Sequence, residues 1–223
     1  MREMTLTSPV RRLLLAGLLA CAMPLVRADA GEDAVDYFRA VQMDNVGVIR
    51  KVLARGLDPN LREPERGETG LIVAMRYDAN QTLDVLLAQP GIDLEAKAVN
   101  GNTALMMAAF RQNQPAVLKL LAKGAQVNQP GWTALHYAAA AGSTELVALL
   151  LERHAYIDCE SPSGMTPLMI AAREGKEDVV RQLLEEGADA SLKDGGFHLT
   201  AAEFAIKADK PWIAEAIRKF RPH

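Results

Sequence analysis

Two copies of one pattern decide the fold of this chain: Gly131-Trp-Thr-Ala-Leu-His-Tyr-Ala-Ala-Ala-Ala-Gly142 and Gly164-Met-Thr-Pro-Leu-Met-Ile-Ala-Ala-Arg-Glu-Gly175. In each copy a threonine begins a run of small apolar residues, and a second glycine closes the segment. Self-similarity at a period of roughly 33 residues is typical of proteins built from stacked repeats. Five threonines mark the copies at spacings of 30 to 34 residues: Thr69, Thr103, Thr133, Thr166 and Thr200.

Each copy contains the signals of two helices. Alanine pairs such as Ala138-Ala139 and Ala171-Ala172 predict a short first helix whose small side chains let neighbouring helices approach. About fourteen residues after the threonine, apolar residues recur at i, i+3 and i+4, which indicates one face of a second helix. Glycines follow several of these helices, where a left-handed residue is favoured. The second-helix faces are Ile49/Val52/Leu53, Leu83/Leu86/Leu87, Val117/Leu120/Leu121, Val147/Leu150/Leu151, Val180/Leu183/Leu184 and Ile213/Ala216/Ile217.

These segments resemble the ankyrin repeat, as do Leu183-Leu-Glu-Glu-Gly-Ala-Asp189 and Arg55-Gly-Leu-Asp-Pro-Asn60. The resemblance covers residues 33 to 220, which is nearly the whole chain after its first 30 residues. It implies an all-α fold, in which helix-turn-helix units stack into a curved solenoid and the loops form short β-hairpin fingers.

The predicted organisation is a leader at 1–30 and a single repeat domain at 31–223. A repeat unit buries its apolar sides only against its neighbours, so the terminal units must present a polar outer surface. Charged residues mark both ends, with Asp36 and Lys51 in the first copy and Lys210 and Lys219 in the last. The predicted units are an N-terminal cap at 33–60, internal repeats at 61–95, 96–128, 129–158 and 159–190, and a C-terminal cap at 191–220.

One finger is shorter than the others. Nine positions separate Asn60 from Thr69, but only five separate Asn128 from Thr133. Pro130 also removes a backbone donor from this segment. We therefore expect a gap in the row of fingers between the second and third internal repeats.

The first 30 residues predict export. Arg11 and Arg12 precede the apolar run Leu13–Val26, which is shorter than the roughly 20 residues that a membrane-spanning helix needs. Ala28-Asp29-Ala30 then has the small-x-small pattern that precedes signal-peptidase cleavage. We expect a periplasmic protein that begins after Ala30. The alternatives are an uncleaved anchor, a lipid on Cys21, a twin-arginine route and secretion from the cell.

The sequence carries no signal of catalysis. The net charge of -3 argues against a nucleic-acid-binding surface, and Cys159 is the only cysteine after residue 30. No histidine has a second histidine or a cysteine at metal-ligand spacing, and no nucleotide-binding or hydrolase motif occurs. His136 stands where the family resemblance implies a hydrogen bond between units. We expect a chain that is not an enzyme and that has no cofactor, no bound metal and no membrane span after the leader.

The resemblance implies a protein-protein interaction module that binds its partner through the concave face and the fingers. Aromatic and arginine side chains at those places, on a chain with 5% aromatic residues, predict a protein partner that is acidic and partly apolar. We expect the chain by itself to be a monomer. Packing of an aromatic side chain within the stack is the competing interpretation. A secreted effector, or an inhibitor or immunity-type protein acting on a host or toxin protein, is the alternative function. The predicted binding residues are Arg76, Tyr77, Phe110, Arg111, Trp132, Met165, Arg173, Glu174 and Lys207.

Overall fold

The computed structural model describes residues 30–220, and the predicted leader lies outside these residues except for Ala30. Within them the chain forms twelve α-helices in consecutive pairs. The helices are α1 (Ala30–Gln42), α2 (Val46–Ala54), α3 (Gly70–Arg76), α4 (Asn80–Leu87), α5 (Ala104–Phe110), α6 (Gln114–Ala122), α7 (Ala134–Ala141), α8 (Thr144–Glu152), α9 (Pro167–Glu174), α10 (Glu177–Glu185), α11 (Ala201–Lys207) and α12 (Pro211–Lys219).

The threonines of the repeat pattern are helix N-caps. The side chains of Thr103, Thr166 and Thr200 each accept a hydrogen bond from the backbone N–H three residues later, at 3.3 to 3.4 Å. Such a cap satisfies one of the donors that a helix N-terminus leaves free. Thr69 and Thr133 occupy the same N-cap position without this side-chain bond, and Thr133 Oγ1 lies 3.0 Å from His136 Nδ1 instead. Helix capping therefore explains three of the five threonines.

Two rows of helices run along the stack. The first helix of each pair packs more closely against the first helices of its neighbours than the second helices pack against one another. Alanines such as Ala108 and Ala138, both fully buried, permit this close approach. The second helices bury the predicted apolar faces, for example Leu83, Leu86 and Leu120. The two rows of stacked helices confirm the predicted all-α solenoid.

The last unit departs from the repeat at Ala202, where the other units have leucine. Ala202 is buried, and Phe204, two residues later on α11, is buried with it. Both side chains therefore belong to the core of the last unit. The final helix pair therefore packs on α9 and α10 like the internal pairs.

Side chains in the loops tie successive units together. Asn60 accepts a hydrogen bond from the N–H of Asp93 at 2.8 Å, and Asn128 accepts one from that of Tyr156 at 2.9 Å. Asp158 repeats the arrangement with the N–H of Asp189 at 3.1 Å. Each bond crosses from one unit to the next and satisfies a backbone donor at the start of the following loop.

The fingers are tight turns. In the described part of the chain the only β-type pairing is an isolated antiparallel bridge between Arg62 and Thr69. Other fingers close through backbone bonds that form no ladder, such as Ala98 N–H to Asn102 O at 2.9 Å. We number the fingers in chain order as finger 1 (61–68), finger 2 (95–102), finger 3 (129–132), finger 4 (159–165) and finger 5 (191–199).

Candidate partner-binding surface

The predicted binding residues lie at the ends of the first helices and on the fingers. Tyr77 and Phe110 follow and end two successive first helices, α3 and α5, and their side chains are 50% and 49% exposed. Large apolar side chains are normally withdrawn from water, so two half-exposed aromatic rings on neighbouring units are notable. Both side chains are therefore accessible from solvent.

An aromatic cluster occupies the middle of this face. The rings of Phe110 and Tyr137 meet edge to face, with centroids 6.1 Å apart and planes at 89°. Trp132 lies 6.1 Å from Tyr137 and 5.2 Å from the His136 ring. The Tyr137 hydroxyl donates to Asn102 Oδ1 on finger 2, and burial raises the pKa of this hydroxyl. Trp132 is thus partly packed in the stack, and Tyr137 joins the surface although it was not predicted.

Met165 is a correction to the predicted set. Its side chain is only 6% exposed and belongs to the hydrophobic core. Its carbonyl oxygen closes finger 4 by accepting from the N–H of Ser161 at 3.0 Å, and this hairpin holds residue 165 against the stack. The predicted apolar track therefore consists of Tyr77, Phe110 and Trp132 without Met165.

The cationic members of the predicted set have partners within the chain. Arg76 forms a two-pronged ion pair with Glu68, and Arg111 Nη2 lies 2.5 Å from Asp78 Oδ2. Such pairs compensate the positive charge that was expected to attract an acidic partner. The remaining two cations also have partners. Arg173 pairs with Glu174 at 2.9 Å, and the Lys207 ammonium lies 3.7 Å from the centroid of the Phe197 ring.

The predicted gap in the finger row is present. A backbone hydrogen bond of 2.8 Å links Val99 on finger 2 to Arg66 on finger 1, and one of 2.9 Å links Gly195 on finger 5 to Ser163 on finger 4. Within residues 30–220, finger 3 makes no backbone hydrogen bond to either neighbouring finger. An open cleft of about 410 Å³ lies beside it, lined by residues of fingers 3 and 4. The fingers therefore form two linked pairs with a notch between them.

His136 and Cys159 lie under this notch. His136 Nε2 is 2.9 Å from the carbonyl oxygen of Met165, and its Nδ1 lies 3.0 Å from Thr133 Oγ1 and 3.7 Å from Cys159 Sγ. Since the carbonyl accepts a hydrogen bond, Nε2 carries the proton and Nδ1 is the acceptor. Burial raises the pKa of the Cys159 thiol to about 11, so the thiol is protonated at neutral pH. This arrangement joins two repeat units and stabilises the stack.

Two further properties of the described residues bear on function. None of the helices between residues 30 and 220 has the length and apolar character needed to cross a membrane. In the same part of the chain, no three histidine, cysteine, aspartate or glutamate side chains are grouped so that they would hold a metal ion. The features that stand out are an exposed aromatic face and a row of fingers.

Comparison with known sequences agrees with the repeat geometry. Residues 37–130 and 126–194 match the family described as ankyrin repeats (3 copies). The chain is 36% identical over 158 residues to human SH3 and multiple ankyrin repeat domains protein 2, an alignment that covers 69% of this chain. It is 32% identical over 160 residues, 67% of this chain, to human transient receptor potential cation channel subfamily A member 1. It is 38% identical over 104 residues, 45% of this chain, to the mouse protein fem-1 homolog A-like.

The chain spans only a small part of each of these animal proteins, namely 8%, 14% and 16% of their lengths. Their likeness to it is therefore a likeness of the repeat region alone. The family match covers residues 37 to 194, well over half of the sequence, and coincides with the stacked helix pairs from α2 to α10. This chain belongs to the ankyrin-repeat family.

Proposed function

We propose that this chain is an exported protein-binding module whose partner docks on the first-helix side of the stack. The observation that carries the proposal is the exposure of Tyr77 and Phe110 at the ends of successive first helices, together with the contact of Phe110 and Trp132 with the Tyr137 ring. Ankyrin repeats generally mediate protein-protein interaction, and ankyrin-repeat proteins are generally non-catalytic scaffolds. Aromatic residues are also the side chains that most often dominate the energy of protein interfaces.

The centre of this face has room for a partner. At the two positions that end the first helix, the third internal repeat has Ala140 and Ala141, where the preceding repeat has Phe110 and Arg111. The shortened finger 3 lies in the same unit, so small side chains and a missing loop tip coincide. A protruding loop or helix of a partner would fit this depression with Phe110 and Trp132 beside it.

The proposed partner is acidic and partly apolar. Arg76, Arg111 and Arg173 are each paired internally, but each of them remains partly exposed. An arginine held by one carboxylate keeps further N–H donors for a second acceptor. These side chains are therefore pre-oriented donors at the edge of an aromatic surface, and pre-orientation lowers the entropic cost of binding.

The test begins with the partner in its native compartment. Crosslinking followed by mass spectrometry identifies it, and calorimetry then compares wild-type protein with Tyr77→Ala, Phe110→Ala and Trp132→Ala. We expect at least one of these variants to weaken binding by about tenfold or more, because truncation of an anchoring aromatic residue costs about 2 kcal/mol. The matched control is Trp212→Ala, because Trp212 is equally exposed but lies on α12 in the second-helix row. Unchanged affinity in all three folded variants would refute binding on this face.

The export part of the proposal is carried by the N-terminal sequence. Purification from the periplasm and N-terminal sequencing should show a chain that begins at Gly31. Cys21→Ser tests lipid attachment, and replacement of Arg11 and Arg12 by lysine tests the twin-arginine route. A chain that is recovered from the cytoplasm and still begins at its first residue would contradict the proposal.

A further inference from the structure

A cleft of about 600 Å³ lies at the N-terminal end of the binding face. Its walls are α1, finger 1 and α3, so it is formed by two successive helix pairs and the loop between them. This volume is in the range of sites that hold small molecules or the side chains of a bound peptide. The apolar part of its lining comes from Val35, Phe38, Val73 and Tyr77.

Two of the acidic residues that line this cleft already form hydrogen bonds within the chain. Glu68 is 3% exposed and receives both Nε and Nη2 of Arg76. Glu63 accepts backbone N–H bonds from Glu65 at 2.8 Å and from Arg66 at 2.5 Å, which closes finger 1. The third acidic residue of the lining, Glu65, is exposed and forms no ion pair among residues 30–220. Since the lining holds four arginines against three glutamates, its formal charge is positive.

The cations of the cleft are less fully engaged. The side chains of Arg39 and Arg66 are exposed, and neither forms an ion pair among residues 30–220. Arg76 uses Nε and Nη2 for Glu68, which leaves Nη1 as a donor. The cleft therefore combines an apolar floor with guanidinium groups at its rim.

A second hollow continues the cleft towards finger 2. It measures about 400 Å³ and shares Glu65, Arg66 and Arg76 with the first cleft, while Val99 and Asn100 form its far side. The Val99 side chain is largely exposed at the tip of finger 2, held there by the backbone bond to Arg66. The two hollows form one channel along the fingers, which suits an extended chain better than a compact ligand.

We propose that this channel binds an extended segment of the partner protein in which an acidic residue stands next to a large apolar one. The apolar side chain enters the cleft over Val35 and Phe38, and the carboxylate pairs with Arg39 or with Arg66 and Arg76. Charge-assisted bonds between guanidinium and carboxylate groups are strong and directional, so they fix the position of the segment. This inference rests on the proposed function and specifies which part of the partner binds at the N-terminal end of the stack.

The test uses random dodecapeptides selected by phage display on the immobilised full chain. Enriched peptides, labelled with fluorescein, are then titrated against wild-type protein and the double variant Arg39→Glu/Arg66→Glu by fluorescence anisotropy. We expect enriched sequences to place Asp or Glu within two residues of Leu, Ile, Phe or Met. We expect the double variant to weaken their binding by more than about tenfold, because like charges at an interface oppose binding strongly.

The matched control is the double variant Arg50→Glu/Arg181→Glu, which reverses two exposed charges on α2 and α10 in the second-helix row. Circular dichroism confirms that each variant is folded. Peptides that lose affinity with Phe110→Ala but not with Arg39→Glu/Arg66→Glu would overturn this inference and leave the proposed function intact. Peptides that are insensitive to both changes, or that lack acidic residues, would also overturn it, and insensitivity to both would count against the proposed function as well.

Discussion

The Nε2 atom of His136 and the carbonyl oxygen of Met165 are 2.9 Å apart, although they belong to neighbouring repeat units. His136 lies in the first turn of α7 within the third internal repeat, and Met165 ends finger 4 of the next one. The histidine therefore links a helix to the following finger across the unit boundary. Burial of the imidazole lowers its pKa, with the bond to Met165 acting in the opposite direction.

This pKa shift predicts a dependence of stability on pH. The folded state holds His136 neutral, while the unfolded chain takes up a proton near pH 6.5. As pH falls below about 6.5, the unfolded state binds more protons than the folded one, so the free energy of unfolding decreases, by at most about 1.4 kcal/mol per pH unit for one group. Urea unfolding between pH 7.5 and 5 measures this slope.

The variants separate His136 from other titrating groups. His136→Gln keeps a donor for the Met165 carbonyl but does not titrate, so its stability should vary less with pH in this range. His154→Gln is the matched control, because it removes an exposed histidine outside this contact. Equal slopes in all three proteins would assign the pH dependence to other residues.

The repeat architecture was predictable because it depends on spacing alone. Threonine at each helix start and leucine or valine at i, i+3 and i+4 recur in nearly every unit, so each copy supports the interpretation of the others. The notch at finger 3 was also predictable, since a missing loop segment between Asn128 and Thr133 is visible as a shorter interval. These features require no knowledge of which side chains meet.

Features that depend on which side chains meet were not predictable in the same way. Tyr137 occupies an ordinary position in its own repeat, and it belongs to the surface cluster because Phe110 of the preceding unit lies beside it. Arg76 was expected to be a free cation, but it pairs with Glu68 on the finger of its own unit. Met165 was predicted to face a partner because it lies on a finger, whereas the hairpin holds it inward. The first case depends on contact between two units, and the other two depend on how a finger folds against the helices.

At Gly70 we predict that alanine lowers the stability of the fold, although alanine has a higher helix propensity than glycine. It opens α3 where other units have Ala or Pro, and a methyl group there would stand 2.7 Å from Cζ of the fully buried Tyr37 and overlap its hydroxyl. An exposed helical Gly→Ala change normally stabilises by about 1 kcal/mol. Here we expect Gly70→Ala to destabilise by about 1–3 kcal/mol, because it overpacks the contact between the first two units. Thermal unfolding measures the effect.

A second change at Tyr37 tests that explanation. Tyr37→Leu is destabilising by itself because it shortens a buried side chain, but it removes the ring that the methyl group added at position 70 would strike. Gly70→Ala should therefore cost less in the Tyr37→Leu background than in wild-type protein. Equal costs in both backgrounds would show that the close approach of Tyr37 does not set the requirement for glycine.

The ion pair between Arg76 and Glu68 predicts a strong coupling. Arg76→Leu leaves the carboxylate of Glu68 without its partner in a position that is 3% exposed, so we expect a loss of about 2 kcal/mol, moderated by the partial exposure of Arg76. The double variant Arg76→Leu/Glu68→Leu removes both charges and should recover part of that loss. Denaturant titrations of the four proteins give the coupling free energy.

An exposed pair serves as the comparison. Arg181 and Asp178 lie 2.6 Å apart on α10 with both side chains largely in water. Arg181→Leu should change the free energy of unfolding by less than about 0.5 kcal/mol, as is usual for surface ion pairs. If Arg76→Leu proves equally mild, then water reaches Glu68 and the pair is not a structural element of the N-terminal cleft.

Cys159 predicts slow thiol chemistry in the folded protein. Burial raises the pKa of this thiol from 9.0 to about 11, so the fraction present as thiolate at pH 8 is roughly a hundredfold smaller than at the unshifted pKa. Only the thiolate is nucleophilic. Reaction with Ellman's reagent at pH 8 should therefore be at least about a hundredfold slower in native buffer than in about 8 M urea.

Thr133→Val removes the hydroxyl that lies 3.3 Å from the Cys159 sulfur and acts to lower the pKa of this thiol, so the native reaction should slow further if the fold is unchanged. A native rate close to that of the unfolded chain would mean that the notch beside finger 3 exposes the sulfur, and that the link between Thr133, His136 and Cys159 does not hold the two units together.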